Sequence, residues 1–336
     1  MGVFIIAEAG VNHNGELNLA KRLIDAAVEA KADAVKFQTF RAGRLASKSA
    51  PKAEYQNKGS HEANQYGMLK KLELSFEEFR SLKKYCDQKG ILFLSTPFDE
   101  ESAEFLVKDL GMEIVKVGSG EVTNLPFLKL IAAFNRPMIL STGMSYLEEV
   151  REAVLAIRTL SAEIPLTLLH CTTSYPCLFE EVNLAAMRTL RETFHLPVGY
   201  SDHTLGIEAA IAAAALGATV IEKHFTLDRT LQGPDHAASL EPHELEKLIS
   251  SIRNVERALG NGRKEPTPSE EKNKTAARKS LILTRGLKKG SILKEDYLTV
   301  KRPGNGIPPG DLQRIIGLKL KVDKGEDEVL TWQDVE

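Results

Sequence analysis

Two histidines in this chain have the placement that a metal site requires. His203 ends the segment PVGYSDH and His224 lies in the segment TVIEKHFT, and both segments are typical of β-strands. If the two strands are neighbours, their imidazoles approach each other. Two neutral nitrogens without a thiolate suit Mn²⁺ or Mg²⁺ better than structural zinc. The pattern predicts an open, catalytic metal, and hydrogen-bonded structural histidines are the alternative.

Two lysines lie in apolar surroundings and therefore need an anionic partner. Lys36 lies in AVKFQT and Lys116 in IVKVGSG, and a buried ammonium group is costly unless an anion neutralises it. Lysines, hydroxyl groups and the backbone amides of a Gly-Ser-Gly turn can together surround a phosphate. A buried salt bridge to Glu8 or Glu121 is equally consistent with the sequence.

Polar residues end all eight predicted strands. Because side chains alternate between the two faces of a strand, residues two positions apart share a face. Such pairs are Lys36 with Gln38, His170 with Thr172, Ser201 with His203, and Glu222 with His224. The other strands end in Glu8, in Thr96, in Lys116 with Ser119 and Glu121, and in Ser141 with Thr142. A lone Ser or Thr there is typically a helix cap, but eight polar strand ends are hard to explain as core.

Four further groups lie near these strand ends. Asp202 directly precedes His203, and Asp235 follows Gly-Pro in a turn after the last strand, so both add carboxylates near the predicted metal. We interpret His170 as a core residue rather than a third ligand. His13, in GVNHNG, suits a local turn as well as ligand contact.

The elements that must position these groups alternate regularly. Eight β-branched runs, each followed by an amphipathic stretch, occupy the first 260 or so residues. The predicted strands begin at Val3, Asp33, Ile91, Met112, Arg136, Pro165, Pro197 and Thr219. This rhythm predicts an α/β fold, a (β/α)8 TIM barrel with its chemistry at the carboxyl ends of the strands. A doubly wound open sheet is the alternative, but no GxGxxG turn follows the first strand.

Three segments interrupt or follow this alternation. Residues 41–74 form a long polar insertion after the second strand, and such loops usually cover a site. Residues 263–277 contain two prolines and little periodicity, which predicts a linker between a barrel domain at 1–262 and a small β-rich domain at 278–336. Residues 261–336 carry a net charge of +4 against −6 for the rest of the chain, which also indicates two units.

The composition excludes several classes of protein. With 336 residues, 43% hydrophobic and 27% charged, the chain is neither disordered nor collagen-like. Its net charge of −2 argues against nucleic-acid and membrane-surface binding, and no apolar run approaches the roughly 18–20 residues of a membrane span. The start lacks secretion-signal features, and Cys86, Cys171 and Cys177 are predicted to be reduced packing residues. We therefore expect a cytoplasmic protein.

Ten short motifs stand in order along the whole chain. They are FIIAEAGVNHNG, VKFQT, FLSTPFD, KVGSGE, LSTGM, HCTTSYP, GYSDHT, EKHFT, GPDH and KRPGNG. Together they resemble the sialic acid synthase family, which comprises N-acetylneuraminate synthase and its N,N'-diacetyllegionaminate relatives. The resemblance implies a TIM barrel joined by a linker to an SAF (antifreeze-like) domain, in a domain-swapped homodimer.

The resemblance also implies a reaction. It is the metal-dependent condensation of phosphoenolpyruvate with an N-acyl hexosamine, which gives a nine-carbon 2-keto sugar acid and phosphate. N-acetylmannosamine, the precursor of N-acetylneuraminate, is the expected sugar. The alternative is 2,4-diacetamido-2,4,6-trideoxymannose, which gives N,N'-diacetyllegionaminate, and a 6-phosphate sugar is a third option.

Carried over motif by motif, the resemblance assigns roles to individual residues. His203 and His224 would hold Mn²⁺ or Mg²⁺. Phosphoenolpyruvate would contact Lys36, Thr96, Lys116, Ser119, Ser141 and Ser201. The sugar would face Glu8, Gln38, Glu121, Tyr175 and Asp235, with Arg302 reaching its N-acyl group from the partner subunit. Glu8 or Glu121 would act as acid or base. The sequence departs from the family pattern at Thr173 within HCTTSYP and at Cys177, which directly follows that motif, so the contacts of that strand are left open.

Two interpretations from other classes remain. A Schiff-base aldolase or lyase would form an imine between a keto acid and Lys36, Lys116 or Lys223, but the paired histidines argue against it. A non-catalytic polysaccharide-assembly protein would keep the barrel without the activity. Retention of both histidines, both lysines and Arg302 argues against that class.

Overall fold

The computed structural model describes residues 2–54, 56 and 62–336 and divides the chain into two units, 1–260 and 261–336. Tyr55 and residues 57–61, which belong to the predicted covering segment 41–74, lie outside the described residues. Within the described part of the chain, no helix has the length and apolar character needed to cross a lipid bilayer.

The first unit is the predicted (β/α)8 barrel. Over the described residues, eight parallel strands pair in the order β3-β2-β1-β8-β7-β6-β5-β4, and β3 and β4 contact each other at the two ends of this order. The strands are β1 (Phe4–Gly10), β2 (Ala34–Thr39), β3 (Leu92–Pro97), β4 (Val115–Val117), β5 (Met138–Ser141), β6 (Leu166–Cys171), β7 (Val198–Asp202) and β8 (Val220–His224). The first strand pairs with the last, so the sheet is a nearly closed barrel rather than an open doubly wound sheet.

Helices surround the barrel and follow the predicted alternation. They are α1 (Leu17–Glu29), α2 (Ala42–Leu45), α3 (Gln65–Leu72), α4 (Phe76–Lys89), α5 (Glu100–Glu104), α6 (Leu125–Ala133), α7 (Leu147–Leu160), α8 (Phe179–Val182), α9 (Ala186–Phe194), α10 (Glu208–Ala215) and α11 (Pro242–Leu259). The bounds of α4 follow from its sequence: Ser75 and Glu78 form a capping box at its start, and Gly90 ends it at a φ of 74°.

An apolar layer lies beneath the polar strand ends. It consists of Ile6, Ala34, Leu94, Ile139, Leu169 and Val220, one residue from each of six strands. Each of these residues precedes an inward-facing residue of the cavity described below by two positions, so both layers share the interior face of the barrel. The dry lower layer supports a polar upper layer.

One glycine, Gly199, allows β7 to pack closely between β6 and β8. A Cβ on Gly199 would lie 2.4 Å from the Val220 carbonyl oxygen and 2.6 Å from Cδ2 of Leu169. Any side chain there would push β7 away from β8 and β6. Gly199 therefore lets β7 present Ser201, two residues later, at the rim.

The second unit is small and rich in extended structure, as predicted. Strand β9 (Ser280–Leu283) pairs antiparallel with β10 (Leu298–Lys301), around buried residues that include Leu281, Leu293, Ile307 and Leu330. Helix α12 (Pro268–Ala277) occupies the segment predicted as a linker, and the short α13 (Leu312–Ile315) lies within the second unit. No residue of α12 is buried; it starts at a capping box of Thr267 and Glu270, which the absence of an apolar stripe obscured.

Candidate active site

A cavity of about 270 Å³ opens at the carboxyl ends of the barrel strands. Every predicted site residue except Glu121 and Arg302 lines it: Glu8, Lys36, Gln38, Thr96, Lys116, Ser119, Ser141, Tyr175, Ser201, His203, His224 and Asp235. Leu45, Met68, Leu69 and Leu72 of the 41–74 insertion contribute an apolar side. Described residues of the insertion therefore line the site, as expected for a covering loop.

The two predicted metal histidines meet in this cavity. Their ring centroids are 5.5 Å apart, and the ring of Tyr175 lies 4.2 Å from that of His203. Nδ1 of His203 is 2.7 Å from the Thr172 carbonyl oxygen. Since a carbonyl can only accept, Nδ1 carries the proton and Nε2 keeps a lone pair. Burial lowers the pKa of His203, and burial together with His203 lowers that of His224 well below its usual value, so both rings are neutral.

The donor set fits a cation held by two imidazoles. Nδ1 of His224 is buried, has no hydrogen-bond partner among the described residues and lies 3.9 Å from a carboxylate oxygen of Asp235. No set of three or more His, Cys, Asp or Glu side chains in the ranges that the structure describes is arranged to hold a metal ion. A cation here would thus have two protein nitrogen ligands and several positions left for oxygen, which suits Mn²⁺ or Mg²⁺ rather than structural zinc.

Both buried lysines find carboxylate partners, and the shared partner is Glu222. Lys36 Nζ lies 2.8 Å from Glu8 and 3.7 Å from Glu222, while Lys116 Nζ lies 3.5 Å from the other oxygen of Glu222. All four side chains are buried. The salt bridge to Glu8 is therefore present, whereas the alternative salt bridge to Glu121 is replaced by one to Glu222.

The pKa values of the two carboxyl groups in this network, those of Glu8 and Glu222, are shifted in opposite directions. Burial raises the pKa of Glu8 to about 7 despite the opposing effect of Lys36. Burial also acts to raise the pKa of Glu222, but Lys116 and Lys36 outweigh it and lower the pKa of that carboxyl. Such a pair, with one group exchanging protons near neutrality and one permanently ionised, is typical of acid–base sites.

Three of the four hydroxyl groups predicted to bind an anion form hydrogen bonds with these charged groups. Lys36 Nζ donates to Thr96 Oγ1 at 2.9 Å, and Lys116 Nζ donates to Ser141 Oγ at 2.7 Å. Ser201 Oγ donates to Glu222 at 2.9 Å. Ser119 Oγ accepts from the Gly143 amide at 2.9 Å. Two ammonium groups and four hydroxyls thus converge on one wall of the cavity, which favours a phosphate or carboxylate ligand.

The residues predicted to face the sugar belong to both units of the chain. Gln38 Nε2 donates to Glu8 at 3.3 Å, and Asp235 is buried at the rim, where burial raises its pKa to about 6. Tyr175 lies against both histidines. Arg302 belongs to the second unit, where its Nε donates to the Ala277 carbonyl oxygen.

Several candidates from the sequence lie outside the cavity. Glu121 accepts from Asn124 at 2.7 Å, in a turn whose neighbours Ser119 and Gly120 line the cavity. The ring of His170 pairs with the Val182 carbonyl oxygen, and Nδ1 of His13 accepts from the Gly15 amide. Both histidines thus have the structural roles that we weighed for them. Asp202 does not face the predicted metal. Its side chain lies on the outer face of the barrel, where it is buried against Lys223.

Glu222 was missed as a site residue. Its parity with His224 places it on the inner face, but its importance comes from lying between two lysines on other strands. Only the closed barrel brings β8 near β2 and β4, so its parity with His224 is the one signal that the sequence offers for Glu222.

Known proteins similar to this chain share both units. A model of the NeuB family matches residues 23–264, and a model of the SAF domain matches residues 278–336. The chain is 48% identical to the N,N'-diacetyllegionaminic acid synthase of Legionella pneumophila, over 100% of this chain and 95% of that protein. It is 50% identical to the synthase of the same name from Campylobacter jejuni, over 97% and 98%. A solved N-acetylneuraminic acid synthetase from Leptospira borgpetersenii has a TM-score of 0.72 at 40% identity, covering 81% of this chain and 90% of that one.

Proposed function

The chain belongs to the NeuB family, and we propose that it condenses phosphoenolpyruvate with an N-acylated hexosamine to form a nine-carbon 2-keto sugar acid and phosphate. One observation carries the proposal: a single cavity brings together two neutral imidazoles, two lysines and a carboxyl group whose pKa lies near 7. These are the groups that an anionic enol ester and a carbonyl electrophile require.

We further propose that the sugar is 2,4-diacetamido-2,4,6-trideoxymannose. The sequence alone favoured N-acetylmannosamine. The two legionaminic acid synthases are 48% and 50% identical to this chain, against 40% for the N-acetylneuraminic acid synthetase, which supports the diacetamido sugar instead.

The two lysines bind the anionic groups of phosphoenolpyruvate in this proposal. Burial lowers the pKa of Lys116, while Glu222 and Glu8 raise that of Lys36 against the effect of burial. A phosphate arriving next to Lys116 favours its charged form. Thr96, Ser119, Ser141 and Ser201 complete the donor set.

Glu8 is the acid–base group in this proposal. As C3 of phosphoenolpyruvate bonds to the aldehyde carbon, the aldehyde oxygen becomes negative and takes the Glu8 proton. Water then adds to C2 and gives its proton to the Glu8 carboxylate. The resulting tetrahedral carbon expels phosphate, which takes the proton of the C2 hydroxyl as that oxygen becomes the keto group, and Glu8 is left protonated.

His203 and His224 would hold the divalent cation, which when bound polarises the sugar carbonyl as a Lewis acid. The Thr172 carbonyl fixes the tautomer of His203, and Tyr175 packs against both rings. These contacts orient the imidazoles.

The raised pKa of Glu8 predicts the pH dependence of the reaction. The proton-donating form exists below about pH 7 and is lost above it, so kcat/KM should fall as the pH rises through that value. Glu8→Gln should lower kcat/KM about 100-fold and abolish this limb. Glu121→Gln is the control: if it removes the limb and Glu8→Gln does not, Glu121 is the acid–base group.

A turnover panel tests the proposed substrates. Purified protein with Mn²⁺ and phosphoenolpyruvate should release phosphate fastest with the 2,4-diacetamido sugar, more slowly with N-acetylmannosamine and least with N-acetylmannosamine 6-phosphate. If none of the three sugars leads to phosphate release, the proposed condensation is contradicted.

Borohydride trapping tests the Schiff-base alternative. Lys223 is fully buried against Asp202 at 2.8 Å, which disfavours it as an imine-forming lysine. We expect no trapped adduct with a keto acid. A trapped adduct together with insensitivity to EDTA would replace our proposal.

The swapped homodimer, with Arg302 reaching the sugar bound to the partner barrel, stays a prediction, as does the role of 263–277 as a linker.

A further inference from the structure

A fully buried ion pair lies directly behind the two histidines. Lys223 Nζ is 2.8 Å from Asp202 Oδ2, and neither side chain has any exposed surface. The two residues are register partners in the ladder between β7 and β8. The pair therefore ties these two strands together at one rung.

The position of this rung relates it to the histidines. Asp202 directly precedes His203, and Lys223 directly precedes His224. Since side chains alternate between faces, the pair lies on the outer face of the barrel while the imidazoles lie on the inner face. The tie is thus one residue from each proposed ligand.

The same pair also holds the backbone beyond His203. Asp202 Oδ1 accepts from the amide and the hydroxyl of Thr204, at 2.9 and 2.8 Å. Lys223 Nζ donates to the Thr204 carbonyl oxygen at 2.5 Å. His203 is consequently fixed on both sides, while its own carbonyl oxygen accepts from the Cys177 amide at 2.8 Å.

Stability alone is a weak reason for such a pair. The desolvation of two charges often exceeds their attraction, and replacing a buried pair by uncharged residues is often neutral for folding. We propose that Asp202 and Lys223 are positioning residues that set the separation and orientation of His203 and His224, and thereby the affinity for a divalent cation. This inference rests on the metal role in the proposed function.

The test compares two double variants without substrates. Asp202→Asn with Lys223→Met removes the tie, removes both charges together and keeps an oxygen for Thr204. Asp33→Asn with Arg253→Met is the control, because Asp33, which precedes β2, and Arg253 of α11 form an ion pair at 2.7 Å at the amino end of the barrel strands, away from the cavity. The dissociation constant for Mn²⁺ is measured from the electron paramagnetic resonance signal of free Mn²⁺, and folding by thermal unfolding.

We expect Mn²⁺ affinity to fall about 10- to 100-fold in the first variant and to stay unchanged in the control. A folded first variant with the affinity of the unchanged protein overturns the inference and leaves the proposed function standing. Absence of Mn²⁺ binding by the unchanged protein overturns the metal role itself, and this inference with it.

Asp202→Asn alone serves if the double variant does not fold. Its single amide oxygen can accept from Thr204 or from Lys223 but not from both as the carboxylate does, so the tie is weakened rather than cut. We expect about 3- to 10-fold weaker Mn²⁺ binding, and unchanged affinity overturns the inference here too.

Discussion

Replacing His203 or His224 by alanine is expected to lower kcat/KM about 1000-fold or more, because each imidazole would provide one of the two predicted ligands to the cation that would polarise the sugar carbonyl. Both side chains lie at the rim of the barrel rather than in its apolar core, so the fold should survive. The measurement is phosphate release from phosphoenolpyruvate and sugar with Mn²⁺, together with circular dichroism.

His243→Ala is the matched control for these variants. His243 lies on α11 with 75% of its side chain exposed, and its loss should leave turnover unchanged. Near-normal activity of either cavity variant, or of the unchanged protein after chelation with EDTA, would contradict the metal role.

Lys116→Met is expected to raise the KM for phosphoenolpyruvate about 100-fold while changing the KM for the sugar much less. Lys116 lies 3.5 Å from Glu222 and 2.7 Å from the Ser141 hydroxyl. Removing a buried cation that faces an anionic ligand typically costs more than 2 kcal/mol, or about 30-fold or more in affinity. In this variant Lys36 is the one cationic neighbour that Glu222 keeps. The less neutralised Glu222 carboxylate then repels the incoming phosphate.

Lys108→Met separates this effect from a general loss of structure. Lys108 pairs with Glu104 at 2.9 Å on the surface, and both KM values should stay unchanged in that variant. Equal increases of both KM values in Lys116→Met would indicate a folding defect rather than loss of an anion site.

The period-two alternation of side chains accounts for most of what the sequence predicted. It placed Lys36 with Gln38, and Ser201 with His203, on inner faces, and the closed barrel brings these groups into one cavity. Alternation fails at Glu121, because the backbone turns into a 3₁₀ helix at Ser119–Glu121 and a face rule for strands no longer applies.

The partner of each charged side chain was harder to predict than the face of the strand on which that side chain lies. Asp202 was expected near the metal because it adjoins His203, but the alternation that turns His203 inward turns Asp202 outward to Lys223. Glu222 lies between lysines from β2 and β4, and this contact depends on how all eight strands close rather than on any local pattern. The start of α12 is encoded locally, in the capping box of Thr267 and Glu270, but without an apolar stripe the helix was not predicted within the expected linker.

The pairing of β1 with β8 makes the order of synthesis matter. Glu8 is the register partner of His224, and the Phe225 amide donates to the Glu8 carbonyl oxygen. When only the first 200 residues have left the ribosome, Glu8, Lys36 and Lys116 are already present. The strand β8, which pairs with β1 beside Glu8, is still missing. The candidate active site is therefore assembled late, when the last strand leaves the exit tunnel and pairs with β1.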